Sequence, residues 1–243
     1  MDYLYGRNPV LESLRARRRS PRQLYLAQGG DLQSVATLAR QARFPFEWVD
    51  RQRLQQLVGH GHHQGVVLET SDYPYVDLDD LLTDAHSAGR PALYLALDLL
   101  QDPQNVGSLL RTAEAVGVDG VILQRRRAVG ITPAVVNSSS GATEHLRVAQ
   151  VANLPQALRA LQAADVWLYG LDTEPGATPI QDADFSRAVA LVVGGESGGL
   201  RRLVRDLCDF RIRLPMRGAI ESLNAAVAGS ISLYAVWQAR GFR

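Results

Sequence analysis

The chain has 243 residues, of which 46% are apolar and 21% are charged, and its formal net charge is +1. This length accommodates one large or two small cores, and no apolar run approaches the ~18 residues that a membrane span needs. A single cysteine excludes an internal disulfide framework, and the absence of lysine excludes P-loop phosphate binding and Schiff-base catalysis. The amphipathic start has no signal-peptide core, which predicts a cytoplasmic protein.

Positive charge is concentrated at the start of the chain. Residues 1–70 hold ten arginines against six acidic residues, whereas residues 71–90 hold one arginine against five aspartates. Because a guanidinium fork suits phosphate, clustered arginines favour a nucleic-acid surface, although a solvated helix end explains the charge equally well. The candidate nucleic-acid-binding residues are Arg7, Arg15, Arg17, Arg18, Arg19 and Arg22.

Short helices and strands alternate over the first seventy residues. Asn8 and Pro9 are typical of a helix N-cap and first turn. The patterns predict helices over 8–17, 31–43 and 51–58, with strands over 23–27, 46–50 and 66–70. An acidic, proline-containing stretch over 71–80 leads into a helix and then Gly89-Arg90-Pro91. We therefore expect a small domain over residues 1–72, a linker with a leading helix over 73–90, and a second domain over 91–243.

The second half of the chain contains stronger strands. Nearly continuous apolar runs predict strands over 92–98, 120–124, 166–172 and 189–193, separated by helical segments. This is the pattern of an α/β fold with a mostly parallel sheet. In such sheets ligands bind where loops leave the carboxyl ends of strands, which directs attention to residues 98–111, 194–200 and 215–224.

The loop Gly194-Gly195-Glu196-Ser197-Gly198-Gly199 follows a strand and opens a predicted helix over 200–208. Its glycines would let the backbone approach a nucleotide-like ligand. The same letters fit the G-x-S-x-G elbow of a serine hydrolase, with Ser197 as the nucleophile. That order requires a histidine after the serine, and none follows. A different fold could supply His145 from upstream, but we reject the hydrolase interpretation.

Polar residues in the other two loops suggest a ligand. Asn105 falls near the start of a helix and Arg111 follows nearly two turns later, while Ser222 and Asn224 precede a long helix over 225–240. Buried amides and guanidinium groups need partners, which favours a polar ligand or an internal salt bridge. Ser222 and Asn224 are equally suited to capping the helix. The cluster of His60, His62 and His63 lacks cysteines and acids, so a glycine-rich loop is favoured there over a metal site.

Three ordered motifs resemble the SpoU/TrmH branch of the SPOUT methyltransferases. They are residues 102–107 with Arg111, residues 193–200, and residues 212–216 with 222–224. Further similarity lies in residues 137–142 with 144–146, in residues 5–10, and in residues 63–66. The match spans nearly the whole chain and is nearest to the 23S rRNA guanosine-2′-O-methyltransferase type, whose N-terminal domain is similar to ribosomal protein L30e.

The resemblance implies a SPOUT-type α/β-knot catalytic domain that binds S-adenosyl-L-methionine and acts on RNA as a homodimer without a metal. By position it implies cofactor contacts at Gly194, Leu214 and Leu223, with Gly195 and Met216 close by. The implied activity is methyl transfer to a ribose 2′-hydroxyl, most naturally of a 23S rRNA guanosine. A tRNA substrate and a catalytically silent RNA-binding protein are the alternatives, and retention of the polar motif residues argues against the second.

The resemblance also implies roles for the polar residues of the motifs. The family's activating arginine corresponds to Arg111. Because arginine stays protonated in proteins, we expect it to bind the adjacent phosphate and stabilise the developing oxyanion rather than act as a base. Asn105 and Asn224 would orient the ribose, Glu196 would pair with or position Arg111, and Ser222 would hydrogen-bond near the cofactor or the attacking oxygen.

Overall fold

The computed structural model describes residues 1–86, 89–174, 176–195 and 198–242. Its strands are β1 (Asp2–Tyr5), β2 (Pro21–Ala27), β3 (Phe46–Val49), β4 (Val66–Thr70), β5 (Leu93–Asp98), β6 (Gly120–Gln124), β7 (Val148–Val151), β8 (Trp167–Leu171), β9 (Thr178–Pro179), β10 (Val189–Gly194) and β11 (Phe210–Arg213). Its α-helices are α1 (Arg7–Ala16), α2 (Gln33–Gln41), α3 (Arg51–Val58), α4 (Leu78–His86), α5 (Pro103–Ala115), α6 (Pro133–Ser138), α7 (Leu154–Ala163), α8 (Arg202–Leu207) and α9 (Ala225–Ala239).

The chain divides into two compact units. Unit 1 consists of Met1–Pro74 together with Ile131–His145, and unit 2 consists of Tyr75–Gly130 together with Leu146–Arg243. Unit 1 therefore takes in a segment that lies more than fifty residues further along the chain. Each unit has its own sheet.

The sheet of unit 1 has four strands within the described residues, in the order β1-β4-β2-β3. Strand β4 pairs antiparallel with both β1 and β2, whereas β2 and β3 are parallel. The branched and aliphatic side chains of these strands point inward and are fully buried at Leu4, Leu24, Leu26 and Leu68. Burial of such side chains against the helices is the main stabilising contribution in a domain of this size.

The segment Ile131–His145 is attached to unit 1 by polar contacts and close packing. The Asn137 side-chain amide donates to the Tyr5 carbonyl at 3.1 Å, and the Tyr73 hydroxyl donates to the Thr143 carbonyl at 3.1 Å. A Cβ atom added at Gly141 would lie 2.8 Å from Cβ of Glu12, so helix α1 approaches the backbone here more closely than a side chain would allow. Glycine at this position therefore permits the contact.

A buried arginine holds the same segment. The Nε atom of Arg19 donates to both carboxylate oxygens of Glu144, at 3.1 and 2.9 Å, and an Nη atom donates to Asp2 at 2.6 Å. The side chains of Arg19 and Glu144 are each 1% exposed. The Arg19 guanidinium also lies 5.2 Å from the centre of the Tyr73 ring. Partners on several sides offset the desolvation of these charges.

The sheet of unit 2 contains seven strands within the described residues, in the order β7-β6-β5-β10-β8-β11-β9, and all pairs are parallel. Every residue of β5 and β10 is buried, as expected for central strands that are covered on both faces. The register places Asp98 opposite Gly194 at the carboxyl ends of these two strands. The loops that follow therefore leave the sheet side by side.

Helices α5 and α9 pack on each other next to strand β10. A Cβ atom added at Gly229 would lie 2.9 Å from Leu109 and 3.3 Å from Val193, so the small residue lets α9 approach both elements. The Ser230 hydroxyl donates to the Thr112 hydroxyl at 2.9 Å. This packing brings the start of α9 close to the start of α5.

Most of the predicted elements are confirmed to within a few residues. The α/β class and the four apolar strands are found, as is the long C-terminal helix. The predicted N-cap is wrong, because α1 begins at Arg7 after Gly6 and has no side-chain cap. Strands β1, β7, β9 and β11 were not expected, since they are short and carry polar residues that weaken an apolar pattern. Among the described residues no helix is long and apolar enough to cross a bilayer.

We predict that Glu144→Ala lowers the free energy of unfolding by about 3 kcal/mol, because it leaves the buried Arg19 charge without its main partner. Glu12→Ala is the matched control. Its carboxylate binds Arg15 and His145 but is 26% exposed, and exposed ion pairs contribute roughly 0–1 kcal/mol. Urea denaturation of both variants provides the measurement. An equal decrease in the free energy of unfolding in the two variants would contradict the structural importance of the Arg19–Glu144 ion pair.

Candidate active site

The three loops highlighted by the sequence emerge from the carboxyl edge of the unit 2 sheet. The loop after β5 leads into α5, the loop after β10 leads into α8, and residues 214–224 connect β11 to α9. Because all the strand pairs are parallel, these loops lie at the same edge. The edge is the place where an open α/β sheet normally binds its ligand.

A buried carboxylate connects two of these loops. Asp98 ends strand β5 and is 0% exposed. It accepts hydrogen bonds from the Arg201 backbone amide at 2.8 Å and from Arg201 Nε at 2.7 Å. The other arm of Arg201 donates to the Gln124 side chain at 2.8 Å, at the end of β6. Arg201, which directly precedes α8, therefore joins the start of that helix to the ends of strands β5 and β6.

The described ends of the glycine loop after β10 lie close together. A Cβ atom added at Gly194 would lie 2.2 Å from the carbonyl carbon of Gly199, so no other residue fits there without moving the backbone. The Gly199 amide donates to the Gly195 carbonyl at 3.0 Å. A Cβ at Gly195 would lie 3.1 Å from the Leu99 carbonyl oxygen, whereas Gly198 and Gly199 face open space. Gly198 and Gly199 therefore present bare backbone to anything bound beside them.

Asn105 and Asn224 meet between the first and third loops. The Asn224 side-chain amide donates to the Asn105 side-chain oxygen at 3.0 Å. Asn224 also caps α9 by accepting from the amides of Ala226 and Val227, while Asp102 caps α5. The capping interpretation of Asn224 is thus correct, and the same side chain also joins the predicted site. The Asn224 side chain is therefore held by the start of α9, which it caps, and by Asn105 near the start of α5.

The remaining predicted residues of the site are more exposed. Arg111 is exposed on α5 one residue before Thr112, which bonds to α9. Leu214 is half-buried directly after β11, whereas Met216 and Leu223 are 42% and 38% exposed. Ser222 is exposed two residues before Asn224. Glu196 and Ser197 lie outside the described residues.

Sequence reasoning missed Arg201 and the part played by Asp98. The sequence pattern places Asp98 at the beginning of a loop, although a carboxylate that ends an otherwise apolar strand indicates a buried partner. Arg201 is one of two adjacent arginines at the start of a helix, and the sequence does not distinguish it from Arg202, whose side chain is 89% exposed. Only the fold shows that Arg201 binds the buried Asp98 while Arg202 is exposed.

The predicted arginine cluster divides into exposed and engaged residues. Arg7, Arg15, Arg17 and Arg22 are exposed, while Arg18 is half-buried and donates to the Tyr73 hydroxyl and the Pro74 carbonyl. Arg19 is buried and bound by two carboxylates. A guanidinium in that setting is not available to a phosphate, so Arg19 is removed from the candidate nucleic-acid surface.

Comparison with known families identifies the class of enzyme. The profile of the SpoU rRNA Methylase family matches residues 92–234, and the profile for RNA 2'-O ribose methyltransferase substrate binding matches residues 3–76. The chain is an RNA 2′-O-ribose methyltransferase with a substrate-binding domain. It belongs to the SpoU/TrmH family, as its motifs suggested, and the expected enzyme class and α/β fold are confirmed.

Relatives match over nearly the full chain. A putative TrmH family tRNA/rRNA methyltransferase, YacO of Bacillus subtilis, is 40% identical over 98% of this chain and 96% of its own length. A 23S rRNA (guanosine-2'-O-)-methyltransferase, RlmB of Xylella fastidiosa, is 39% identical over 96% of this chain and 94% of its own length. Among solved structures, the SpoU methyltransferase AviRb from Streptomyces viridochromogenes, in complex with AdoMet, superimposes with a TM-score of 0.82 at 26% identity, over 99% of this chain and 91% of that chain.

We predict that Asp98→Ala speeds hydrogen exchange of the Arg201 amide roughly tenfold, because that amide loses its acceptor. Asp119→Ala is the matched control at the opposite end of β5. Asp119 likewise accepts from a backbone amide, that of Leu93 at 2.8 Å, and from an arginine, Arg90. Exchange in the control should rise at Leu93 and not at Arg201. Unchanged exchange at Arg201 in Asp98→Ala would show that the carboxylate does not hold the loop.

Proposed function

We propose that this enzyme transfers a methyl group from S-adenosylmethionine to the ribose 2′-hydroxyl of a guanosine in 23S rRNA. The observation that carries the proposal is the Asn105–Asn224 hydrogen bond, which joins two motif loops at the sheet edge from which the glycine loop also emerges. Similarity over almost the full chain to a relative named as a 23S rRNA guanosine enzyme supports the choice of substrate.

The residues at the sheet edge fit the cofactor. Gly194 admits no side chain, and the open faces of Gly198 and Gly199 leave backbone accessible to a bound adenosine or its amino-acid tail. The exposed apolar side chains of Met216 and Leu223 suit the faces of a purine ring. Bound S-adenosylmethionine supplies an electrophilic methyl group on a sulfonium. Gly194, Gly195, Leu214, Met216 and Leu223 are the residues that we expect to hold it.

The polar residues then act on the ribose. Asn105 and Asn224 have amide groups that can orient the sugar hydroxyls. Arg111, exposed on α5 and permanently charged, binds the neighbouring phosphate and stabilises the negative charge that develops on the 2′-oxygen. Ser222 lies within the same loop as Leu223 and contributes a hydroxyl group, and Glu196 is expected to position Arg111. Alignment of reactants of this kind can contribute ~7 to 11 kcal/mol to the lowering of a barrier.

The apolar face of α9 supports the expected homodimer. Val227, Ile231 and Tyr234 lie on one side of the helix and are 47%, 45% and 46% exposed. Ile231 and Tyr234 line a groove together with Thr112 of α5. Apolar groups grouped in this way on a helix surface mark an interface. Pairing of two copies through this face would place each partner beside α5, which carries Arg111.

The decisive experiment is incubation of the purified protein with radiolabelled S-adenosylmethionine and total RNA, followed by mapping of the alkali-resistant position. Label at a guanosine of 23S rRNA is expected. Label in tRNA would instead support the tRNA activity that the name of the Bacillus relative also covers. RNA binding without any label would indicate a catalytically silent binding protein and would overturn the proposal.

We predict that Arg111→Ala reduces kcat at least 100-fold and changes the dissociation constant of S-adenosylmethionine less than threefold, because Arg111 stabilises charge that is absent before reaction. Single-turnover methylation and calorimetric titration of the cofactor measure the two effects separately. Arg159→Ala, which removes an exposed arginine from α7, is the control and should match the parent. Turnover of Arg111→Ala within threefold of the parent would refute this role.

Introducing a charge into the α9 face should separate the proposed dimer. Ile231→Asp is expected to halve the molar mass measured by light scattering, because a carboxylate would be desolvated at the interface. Leu203→Asp is the control, since Leu203 is 55% exposed on α8 and does not line the α9 groove. A parent protein that is monomeric at micromolar concentration, or an Ile231→Asp variant with unchanged mass, would argue against this interface.

A further inference from the structure

Helices α1 and α2 of unit 1 border a groove at their carboxyl-terminal ends. Leu14, Arg15 and Arg17 line it from α1 and the residue that follows, while Leu38, Gln41 and Ala42 line it from α2 and the residue that follows. Arg43 comes directly after this second set and is exposed. The groove therefore has a partly apolar lining with two arginines on the α1 side, and Arg43 is the next residue in the chain after the α2 side.

An arginine in the left-handed backbone conformation follows each helix, directly after α1 and two residues after the end of α2. Arg17 has φ 53° and its amide donates to the Ser13 carbonyl. Arg43 has φ 52° and its amide donates to the Arg40 carbonyl, while the Phe44 amide donates to the Ala39 carbonyl. These are the αL and Schellman helix endings, in which glycine is the preferred residue because it has no Cβ.

The same chain uses other residues in equivalent endings. Gly59 ends α3 with φ 77° and donates to Gln55, and Gly117 follows α5 with φ 73°. Asp165 ends α7 with φ 57°, and short polar residues tolerate this conformation better than long ones. Arginine is thus an unfavourable residue for the left-handed backbone conformation at positions 17 and 43. Strained residues of this kind tend to lie at functional sites.

Arg17 and Arg43 differ from the neighbouring arginines in their surroundings. Both are exposed, and neither forms an ion pair in the part of the chain that the structure describes. Arg40, by contrast, lies 5.4 Å from the centre of the Phe46 ring, and Arg15 is paired with Glu12. Arg17 therefore brings an exposed guanidinium group to the groove, and Arg43 carries a second one directly after the residue that ends its α2 side.

We propose that this groove binds the RNA phosphodiester backbone, with Arg17 and Arg43 contacting phosphates from opposite sides. The inference rests on the proposed function, because it takes RNA as the substrate, and it extends the contact surface to α2, which the sequence did not suggest. Guanidinium forks bind phosphate with two donors, and Gln41 can hydrogen-bond to a ribose or phosphate oxygen.

The test is the double variant Arg17→Gly/Arg43→Gly. The proposal predicts that this variant is more stable than the parent but binds RNA more weakly. Glycine relieves the backbone strain, so the urea midpoint should rise. Affinity for an in vitro transcript of 23S rRNA should fall at least fivefold, and the slope of log K against log salt should become shallower by roughly 1.4 to 1.8, as expected for two lost phosphate contacts. Filter binding at several salt concentrations measures the slope.

Two controls make the result specific. Asp165→Gly relieves the same conformation at the end of α7 and should raise the midpoint while changing RNA affinity less than threefold. Arg17→Lys/Arg43→Lys keeps both charges and should retain most of the salt slope. A loss of stability in the glycine variant would show that the arginines support the fold, and unchanged RNA affinity would remove the groove from the contact surface. Either result overturns the proposal.

Failure of the groove is distinguishable from failure of the enzyme. Methyl transfer by the parent protein to total RNA is measured in parallel. If the parent transfers methyl groups and the glycine variant binds RNA as tightly as the parent, only the proposal that the groove binds RNA is overturned. Absence of transfer by the parent overturns the proposed function itself.

Discussion

The carboxylate of Asp98 is the constraint on which the candidate active site depends. It is fully buried at the end of a central strand, where an unpaired charge would be strongly destabilising. Arg201 satisfies it through a side chain and a backbone amide, and also reaches Gln124 on the next strand. The start of α8, and with it the end of the glycine loop, is thereby attached to the sheet. Leu200 and the end of the glycine loop at Gly199 therefore lie next to a residue that is fixed to the sheet by an ion pair.

Unit 1 uses the same principle for a different purpose. Arg19 and Glu144 are buried together, and their pairing attaches residues 131–145 to the N-terminal part of the chain. Breaking such a pair leaves an uncompensated charge, so the segment is held by more than its apolar contacts. The arginines that end α1 and α2 are the opposite case. They adopt a backbone conformation that disfavours long side chains and they are exposed, whereas Arg19 is buried in its ion pairs.

Local pattern was sufficient for much of the fold and for the outline of the site. Continuous apolar runs located β5, β6, β8 and β10, because central parallel strands are buried on both faces. Short strands with polar residues, such as β11, gave no comparable signal. Loop composition directed attention to Asn105 and Asn224, whose contact the structure then supplied. The charge count at the N-terminus grouped Arg17 with Arg19, although burial separates them completely.

The chain's sequence thus established its class, its main strands and the residue types of its loops, because periodicity, glycine placement and motif order are local properties. The tertiary structure alone decided which polar groups become partners. Arg19 and Glu144 are 125 residues apart, Asn105 and Asn224 are 119 apart, and Asp98 and Arg201 are 103 apart. Pairs at such separations arise from strand order and helix packing, and no local propensity carries that information.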